Sequence, residues 1–419
     1  MSTSSAPANP LRRHVLLGAA GLALAAAVSL GLARFSYALL LPAMRSDLGW
    51  TYFTAGAMNT VNAAGYLLGA LLAPRALARF DARQLMLAGG ALTAVLLAAH
   101  GAVRSDALLY ALRLGTGVAS AMSFIAGGLL AARLAGTQAG AQAGAQAGTP
   151  GARPVPAGLV LGLYYGGTGL GIMLSALLAR PGEIGPLPDG PTAGLSAWPT
   201  AWLALAAASA VATWLTAAST RSLRAPPVRS APRAVVRWAP FGFALAGYLM
   251  FGLGYIGYMT FIVTLLREQG MAPAQITAFY LLLGACVVAS SWLWAGLLQR
   301  SRGGQALALL NGLLALATAL PVWSAHAVAV FASGALFGAV FLSVVAATTA
   351  LVRHNLPAAQ WPGGIAAFTI MFAAGQIAGP ALVGAIADGP GGLLRGLAWS
   401  AVALAVAAAL TLCQRPLQR

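Results

Sequence analysis

Residues 31–37 read Gly-Leu-Ala-Arg-Phe-Ser-Tyr, and residues 252–258 read Gly-Leu-Gly-Tyr-Ile-Gly-Tyr. The two stretches are separated by an offset of 252 − 31 = 221 in a chain of 419 residues. The same offset pairs four further positions of like character: Asp47 with Glu268, Gly49 with Gly270, Arg79 with Arg300, and Gly117 with Gly338. A sequence that repeats at about half its length predicts two similar structural units.

Composition indicates that most of the chain is surrounded by lipid. Hydrophobic residues make up 59% of the sequence and charged residues only 7%, and the mean hydropathy is +0.81. Apolar stretches of about 20 residues, the length that a helix needs to cross a bilayer, recur along the whole sequence. We therefore predict an all-α membrane protein with about twelve spans, at residues 14–42, 54–73, 84–103, 107–132, 157–179, 199–218, 241–265, 275–298, 304–323, 327–351, 363–386 and 393–413.

The net charge of +17 would suggest nucleic-acid binding in a soluble protein, but the placement of the charges argues against it. The chain has no lysine, and most of its arginines fall in alternate loops and in the terminal segments. Six of the seven acidic residues fall in the remaining loops, with Asp81 as the exception. The positive-inside rule then predicts a protein of the bacterial inner membrane with both termini in the cytoplasm. No nucleic-acid partner is expected.

The repeat divides the chain into two halves of six helices, residues 1–218 and 239–419, joined by a cytoplasmic linker at 219–238. The linker is rich in arginine and proline, so it could contact anionic lipid headgroups or serve only as a topology signal. Gly167 and Gly171 match Gly375 and Gly379 at an offset of 375 − 167 = 208, which leaves the first half longer by 221 − 208 = 13. The surplus is a low-complexity stretch in which Ala-Gly-Ala-Gln repeats. We expect it to form a disordered cytoplasmic loop at about residues 135–156.

Four stretches carry a resemblance to a known family: Gly31 to Tyr37 followed by Pro42, the Gly49-Trp50 pair, residues 62–69, and the glycine-rich residues 166–171. With them the chain resembles the major facilitator superfamily and, within it, the YbfB/YjiJ-type bacterial transporters. The resemblance covers nearly the full length. It implies two pseudo-symmetric six-helix halves, secondary transport and a monomeric protein.

Motifs of the superfamily are only partly kept. The loop after the second helix keeps Gly69, Arg79 and Arg83, which are candidates for gating or hinge residues, but the acidic residue that usually ends that helix is missing. Arg113, four residues before Gly117, matches an arginine motif that the resemblance links to proton or anion handling. The fifth helix lacks the proline of the antiporter signature, so the sequence does not establish efflux by exchange.

Two arginines, Arg34 and Arg113, lie inside predicted spans, and no aspartate or glutamate accompanies them there. An ionisable side chain in the bilayer is costly and usually faces a cavity. A guanidinium without a protein partner favours a carboxylate or phosphate, which it binds in a forked geometry. We therefore expect an anionic solute. The alternative is that Arg34 reaches the outer interface and that Arg113 bonds backbone carbonyls.

Other polar residues of the spans are candidates for the solute path. Asn59, Asn62 and Tyr66 share one face of the second helix, and they could line a cavity or bond a neighbouring helix. Candidates of the same kind, with packing or an interfacial position as the alternative, are Tyr37, Tyr164, Tyr165, Tyr255, Tyr258 and Gln376. Small residues of the fifth and eleventh helices could act as hinges or pack statically: Gly167, Gly171, Gly379 and Pro380.

We expect a secondary active transporter that moves a small anionic or polar solute by alternating access. A drug or metabolite efflux pump of the same fold is the alternative, and a non-transporting receptor or scaffold is a third possibility. An enzyme is disfavoured because the chain has no paired carboxylates, metal-ligand cluster or phosphate-binding loop, and no metal or cofactor is expected. The coupling ion is not determined by the sequence, and protons are one candidate. The histidines lie near predicted helix ends, where we expect them to face water.

Overall fold

The computed structural model describes residues 10–146, 155–179, 198–223 and 238–417, and within these ranges the regular structure is helical. Among the described residues, eleven helices are long and apolar enough to cross a membrane. A twelfth, Tyr52–Leu77, has the length but is less apolar, because it carries Asn59, Thr60 and Asn62. The protein is therefore a multi-pass membrane protein, and its twelve long helical segments are numbered here as spans 1 to 12.

Span 1 consists of three helical segments, Pro10–Ala26, Ala27–Phe35 and Tyr37–Leu48, and span 8 of two, Pro273–Leu293 and Ala295–Arg300. The other spans of the first half are Tyr52–Leu77 (2), Ala82–His100 (3), Asp106–Gln146 (4), Ala157–Ala179 (5) and Trp198–Ser219 (6). Those of the second half are Gly242–Glu268 (7), Gln305–Trp323 (9), Ala327–Asn355 (10), Trp361–Ala387 (11) and Gly392–Leu412 (12). Most ends lie within a few residues of the sequence-based expectation.

The low-complexity stretch is the largest departure from that expectation. Span 4 continues as a helix to Gln146, so the prediction of a disordered loop from about residue 135 is wrong for its first part. Alanine and glutamine favour helix, and the preceding span supplies the nucleus that a new helix would have to form. Gln138 also accepts a hydrogen bond from the Val155 amide at 3.1 Å, which ties this extension to the start of span 5. Residues 147–154 of the stretch lie outside the described residues, as do 224–237 of the linker.

The two halves repeat the same pattern of packing. Spans 1 and 5, 2 and 4, and 3 and 6 pack together in the first half, and spans 7 and 11, 8 and 10, and 9 and 12 pack together in the second. Between the halves, span 2 packs on span 11 and span 5 packs on span 8. Spans 2 and 8 are counterparts in the two halves, and so are spans 5 and 11. Exchanging the halves therefore turns one of these contacts into the other, so the bundle is pseudo-symmetric as predicted.

Close backbone contacts confirm the repeat in detail. A Cβ atom on Gly117 would lie 2.2 Å from the carbonyl oxygen of Asn62, and one on Gly338 would lie 2.3 Å from that of Leu283. Gly117 and Gly338 are related by the offset of 221 found in the sequence, and so are their contact residues, Asn62 and Leu283. The loop glycines follow the same rule, because Gly49 and Gly270 have φ of 65° and 77°, in the left-handed region.

The predicted match of glycines between spans 5 and 11 is wrong by one helical turn. A Cβ atom on Gly171 would lie 2.8 Å from the Cα atom of Gly31, and one on Gly375 would lie 2.9 Å from that of Gly252. Since Gly31 and Gly252 are equivalent, Gly171 corresponds to Gly375 at an offset of 375 − 171 = 204. The first half is therefore longer by 221 − 204 = 17 instead of 13. Small residues that recur every four positions look alike after a shift of one turn, so the sequence could not distinguish the two alignments.

Alternating span directions put both described chain ends, Pro10 and Leu417, at one end of the bundle, which we call the terminal end. The opposite end is called the far end. Arginines cluster at the span ends of the terminal end, including Arg75, Arg79, Arg83, Arg300 and Arg353. Four of the described acidic residues lie at the far end: Asp47, Asp106, Glu268 and Asp388. This distribution supports the predicted orientation, with the terminal end in the cytoplasm.

Candidate functional site

The middle segment of span 1, Ala27–Phe35, is a π-helix, and it carries Arg34 in its last turn. Such segments are rare and occur frequently at functional sites, since they shift the register of the side chains that follow. The backbone there packs directly on span 5, because a Cβ atom on Gly31 would lie 2.4 Å from the Cα atom of Gly171. A glycine at both positions lets the two helices approach closely and brings Arg34 into the interior of the bundle.

Arg34 is only 4% exposed, so its guanidinium does not reach the interface. The guanidinium carbon lies 5.3 Å from the ring centroid of Tyr66. The Nε and Nη2 atoms are buried and have no hydrogen-bond partner among the described residues. Two forked donors of a buried cation are therefore left for a ligand.

Arg113 is also buried, but its donors are occupied. The Nε atom donates to the Met58 carbonyl at 3.4 Å, and Nη1 donates to the Ala33 carbonyl at 3.3 Å. The Nη2 atom donates to Oδ1 of Asn59 at 3.1 Å, and the guanidinium lies over the ring of Tyr37 at 4.5 Å from its centroid. Arg113 thus bonds backbone carbonyls and an amide, and it presents no free fork to a solute in this conformation.

Asn59 connects Arg113 to the second half. Its Nδ2 atom donates to Oγ1 of Thr260 on span 7 at 2.7 Å, so spans 4, 2 and 7 form one hydrogen-bonded chain. Asn62 bonds within the first half, where its Nδ2 donates to the Arg113 carbonyl at 3.0 Å and its Oδ1 has no partner among the described residues. The predicted face of span 2 therefore mainly joins helices, with Tyr66 beside Arg34.

Most of the candidate tyrosines use their hydroxyls in hydrogen bonds within the protein. Tyr37 donates to the Ala55 carbonyl at 2.9 Å, and Tyr164 donates to the Phe124 carbonyl. Tyr258 bonds Ser333 at 2.7 Å. Tyr255 differs, because its oxygen accepts a hydrogen bond from Nε2 of Gln376 and its own O–H is left to donate.

Tyr165 is 46% exposed, although it lies within span 5. Its ring contacts Tyr164 and Phe124 of the first half, at 5.2 and 6.3 Å between centroids. Tyr165 lies in the part of span 5 that is closest to the terminal end.

The candidate hinge residues lie in tight contacts. A Cβ atom on Gly69 would lie 2.7 Å from the Val118 carbonyl oxygen, one on Gly167 would lie 2.0 Å from that of Ala23, and one on Gly379 would lie 2.7 Å from that of Leu253. The Pro380 carbonyl oxygen would lie 2.2 Å from a Cβ atom on Gly56, across the halves. Close packing accounts for these positions without a bend.

The two candidate arginines of the loop after span 2 differ in their surroundings. Arg83 joins spans 3 and 6, because its Nη2 donates to the Ala217 carbonyl at 2.7 Å. Asp81 caps the start of span 3 by accepting from the Arg83 amide at 2.8 Å. Arg79 is exposed at the terminal end. The loop therefore fastens helices of one half.

The far end holds a contact between the halves that the sequence did not reveal. The carboxylate of Asp388, at the end of span 11, accepts hydrogen bonds from the amides of Tyr52 and Phe53, at 2.7 and 2.9 Å. These amides are unpaired donors of the first turn of span 2, where the helix dipole favours a negative charge. Glu268 of span 7 accepts from the Tyr52 hydroxyl and lies 4.0 Å from Arg45. We call Asp388, Glu268, Tyr52, Phe53 and Arg45 the far-end latch.

Two further residues were missed. Tyr280 of span 8 donates to the Phe35 carbonyl of span 1 at 2.8 Å, so it joins the halves. The repeat offset pairs it with Asn59, which was the available signal. His100 contradicts the expectation that the histidines face water, since it is fully buried, its ring lies 4.7 Å from that of Trp202, and its Nδ1 bonds the Leu96 carbonyl. His14 and His326 are exposed as expected.

Solved structures of transporters share the fold. A bacterial homolog of the human lysosomal transporter Spinster, inward-facing and unoccupied, has a TM-score of 0.68 at 13% identity, over 96% of this chain and 97% of that one. A mutant of the nucleoside transporter NupG has a TM-score of 0.68 at 12% identity, over 94% and 98%. The human organic anion transporter MFSD10 has a TM-score of 0.60 at 15% identity, over 96% and 100%.

No match was found among curated proteins. A family model described as "Uncharacterised MFS-type transporter YbfB" matches residues 26–412, nearly the whole chain. This match agrees with the twelve spans, the pseudo-symmetric halves and the structural neighbours. The chain therefore belongs to the major facilitator superfamily, in the family of YbfB-type transporters.

Proposed function

We propose that the protein is a secondary active transporter that carries a small anionic solute between its two halves by alternating access, with Arg34 as the anion-binding residue. The observation that carries the proposal is the buried guanidinium of Arg34, whose Nε and Nη2 have no partner in the described part of the chain. Membership in a transporter family makes the protein a transporter rather than an enzyme.

The charge of Arg34 needs a counter-charge that the spans do not supply. The described acidic residues, Asp47, Asp81, Asp106, Glu268 and Asp388, lie at span ends. Transferring a cation from water into the protein interior without a partner costs on the order of several kcal/mol. An anionic solute would bond both free nitrogens and neutralise the charge. The same distribution of acids argues against an efflux pump for cations, which would need a carboxylate in this region.

Contacts between the halves support a path that opens toward the terminal end. Span 2 meets span 11 through the far-end latch, through Gly56 beside Pro380, and through a hydrogen bond of 2.7 Å from Thr60 to the Ile377 carbonyl. All these contacts lie between the far end and the middle of the two spans. Tyr165 of span 5 and Arg353 of span 10 are both exposed, in the terminal parts of their spans. We take the termini to be cytoplasmic and the protein to act as a monomer in the bacterial inner membrane, so the end at which spans 2 and 11 meet is the outer one.

Transport in proteoliposomes tests the proposal. Purified protein is reconstituted, and uptake is measured for monocarboxylates, dicarboxylates, phosphate and lipophilic cations, with and without a pH gradient that reports proton coupling. Arg34→Gln should abolish anion uptake, and Arg34→Lys should keep a fraction of it because the charge remains without the fork. Arg415→Gln, at an exposed position of the terminal end, is the control and should transport normally. Unchanged uptake of every anion by Arg34→Gln, or transport of cations alone, would refute the proposal.

A further inference from the structure

We infer that the transported anion is an aromatic carboxylate, a flat unsaturated ring that bears one carboxylate group. The inference rests on the proposed function and names the class of its solute. It follows from one juxtaposition: the segment that carries Arg34 contacts aromatic rings of both halves, since Tyr66 lies under the guanidinium and the ring of Phe35 lies 5.8 Å from that of Phe341.

The second half supplies an ordered set of rings that we call the ring stack: Tyr248, Phe251, Tyr255, Phe341 and Phe372. Neighbouring rings of the stack lie within 20° of parallel, with centroids 4.8 to 6.1 Å apart. Aromatic rings attract one another in this offset-parallel geometry beyond the burial of their area. Phe35, the neighbour of Arg34 in the chain, packs edge-to-face on Phe341 at 5.8 Å between centroids, so the ring stack lies against the segment that carries Arg34. A planar ring attached to a carboxylate at Arg34 would therefore extend an existing stack.

The first half supplies further rings. Tyr66 lies under the Arg34 guanidinium and is half-buried. Tyr165 is exposed, and Phe124, which is half-buried, stacks on Tyr164 at 5.4 Å between centroids. Phe372 is the half-buried member of the ring stack. Tyr165 and Phe372 lie in the terminal halves of their spans, so in the proposed path a solute from the terminal end would meet rings before it reaches Arg34.

The polar groups near Arg34 fit one carboxylate and little else. Tyr255 accepts from Gln376, so its O–H can donate to a carboxylate oxygen that Arg34 also binds. The hydroxyls of Tyr37 and Tyr258 are already bonded within the protein. A sugar or a nucleoside would bring several hydroxyls, more than the few free groups near Arg34 could pair, and each unpaired polar group costs binding energy. A ring with a single anionic group leaves none.

Matched pairs of acids test the inference on the purified full-length protein by titration calorimetry. Benzoate is compared with cyclohexanecarboxylate, and phenylacetate with cyclohexylacetate; each pair keeps the carboxylate and the approximate size but removes the flat ring. We expect the aromatic acid of each pair to bind about tenfold more tightly, the effect of one good ring contact. Benzamide, which is neutral, should not bind measurably.

Variants separate the ring from the charge. Tyr255→Leu should bring the two acids of a pair to nearly equal affinity, whereas Tyr255→Phe should keep the preference and weaken both acids alike because only the hydroxyl is lost. Tyr110→Leu, on span 4, should change neither value. Equal binding of both acids by the wild-type protein, or binding of phosphate or aliphatic acids alone, overturns the inference but leaves anion transport intact. Absence of all anion binding, together with anion uptake that Arg34→Gln does not alter, would overturn the proposed function as well.

Discussion

Arg34 and Tyr255 occupy equivalent positions of the two halves, and both side chains are buried in the bundle. The same motif therefore supplies a cation in one half and an aromatic donor in the other. In the proposed site, this difference between the two halves would let Arg34 bind the charged end of a solute while the rings of the second half contact its other end. The Tyr37 and Tyr258 positions of the repeat, by contrast, both serve packing.

The chain from Arg113 through Asn59 to Thr260 predicts a stability effect. Asn59→Leu removes an acceptor of Arg113 and a donor to Thr260, so it should lower the free energy of unfolding by about 1–3 kcal/mol, the cost of unpaired buried groups. Asn311→Leu is the control, because the amide of Asn311 bonds only the Leu307 carbonyl of its own helix. Thermal unfolding in detergent measures both. Equal melting temperatures for the two variants would contradict the role given to Asn59.

The far-end latch predicts a shift between conformations. Asp388→Asn removes the charge at the first turn of span 2 and one of two strong acceptors, so the far end should open more often. Nitroxide labels on Ser105→Cys and Val328→Cys, with Cys286 and Cys413 replaced by serine, report the distance between the halves at that end. The distribution should move to longer distances.

Asp106→Asn is the matched control for the latch, because Asp106 accepts its hydrogen bond from Trp50 within the first half. Its label distances should stay as in the parent. If Asp388→Asn leaves the distribution where Asp106→Asn leaves it, the latch does not hold the far end closed.

The contact of spans 1 and 5 predicts sensitivity to a single methyl group. Gly171→Ala places a Cβ atom 2.4 Å from the Ala27 carbonyl oxygen, so the backbones must separate. We expect a loss of about 1–3 kcal/mol, as for an overpacked core. Gly158→Ala lies on the same span with open space around it and should be neutral or slightly stabilising. Melting temperatures that fall equally in both would argue against close packing at Gly171.

The left-handed glycines of the repeat predict a matched pair of losses. Gly49→Ala and Gly270→Ala should each cost about 1–2 kcal/mol, because an alanine at positive φ brings its Cβ atom against the backbone. Gly296→Ala, in a helix with nothing within 4 Å of the new atom, should not destabilise. A cost at only one of the two repeated positions, measured by thermal unfolding, would show that the two turns are not equivalent.

The spans, the two halves and the presence of Arg34 and Arg113 inside spans could be predicted from the sequence, whereas burial of Arg34 and a position at the outer interface stayed alternatives. Hydrophobic length and the repeat depend on residues close together in the chain or at a fixed offset, so they can be read without coordinates. The low-complexity composition was misleading at residues 136–146, where alanine and glutamine extend the helix of the preceding span.

By itself, the sequence determined that two arginines enter the bilayer without an acidic partner, and that two sets of six helices surround them. Only the tertiary structure decided that Arg113 bonds Met58, Ala33 and Asn59 while two donors of Arg34 find no partner among the described residues. It also decided that Asp388 holds the start of span 2. These outcomes depend on which carbonyl or amide of a distant span lies within hydrogen-bonding distance, and that distance is set by helix packing that no local pattern encodes.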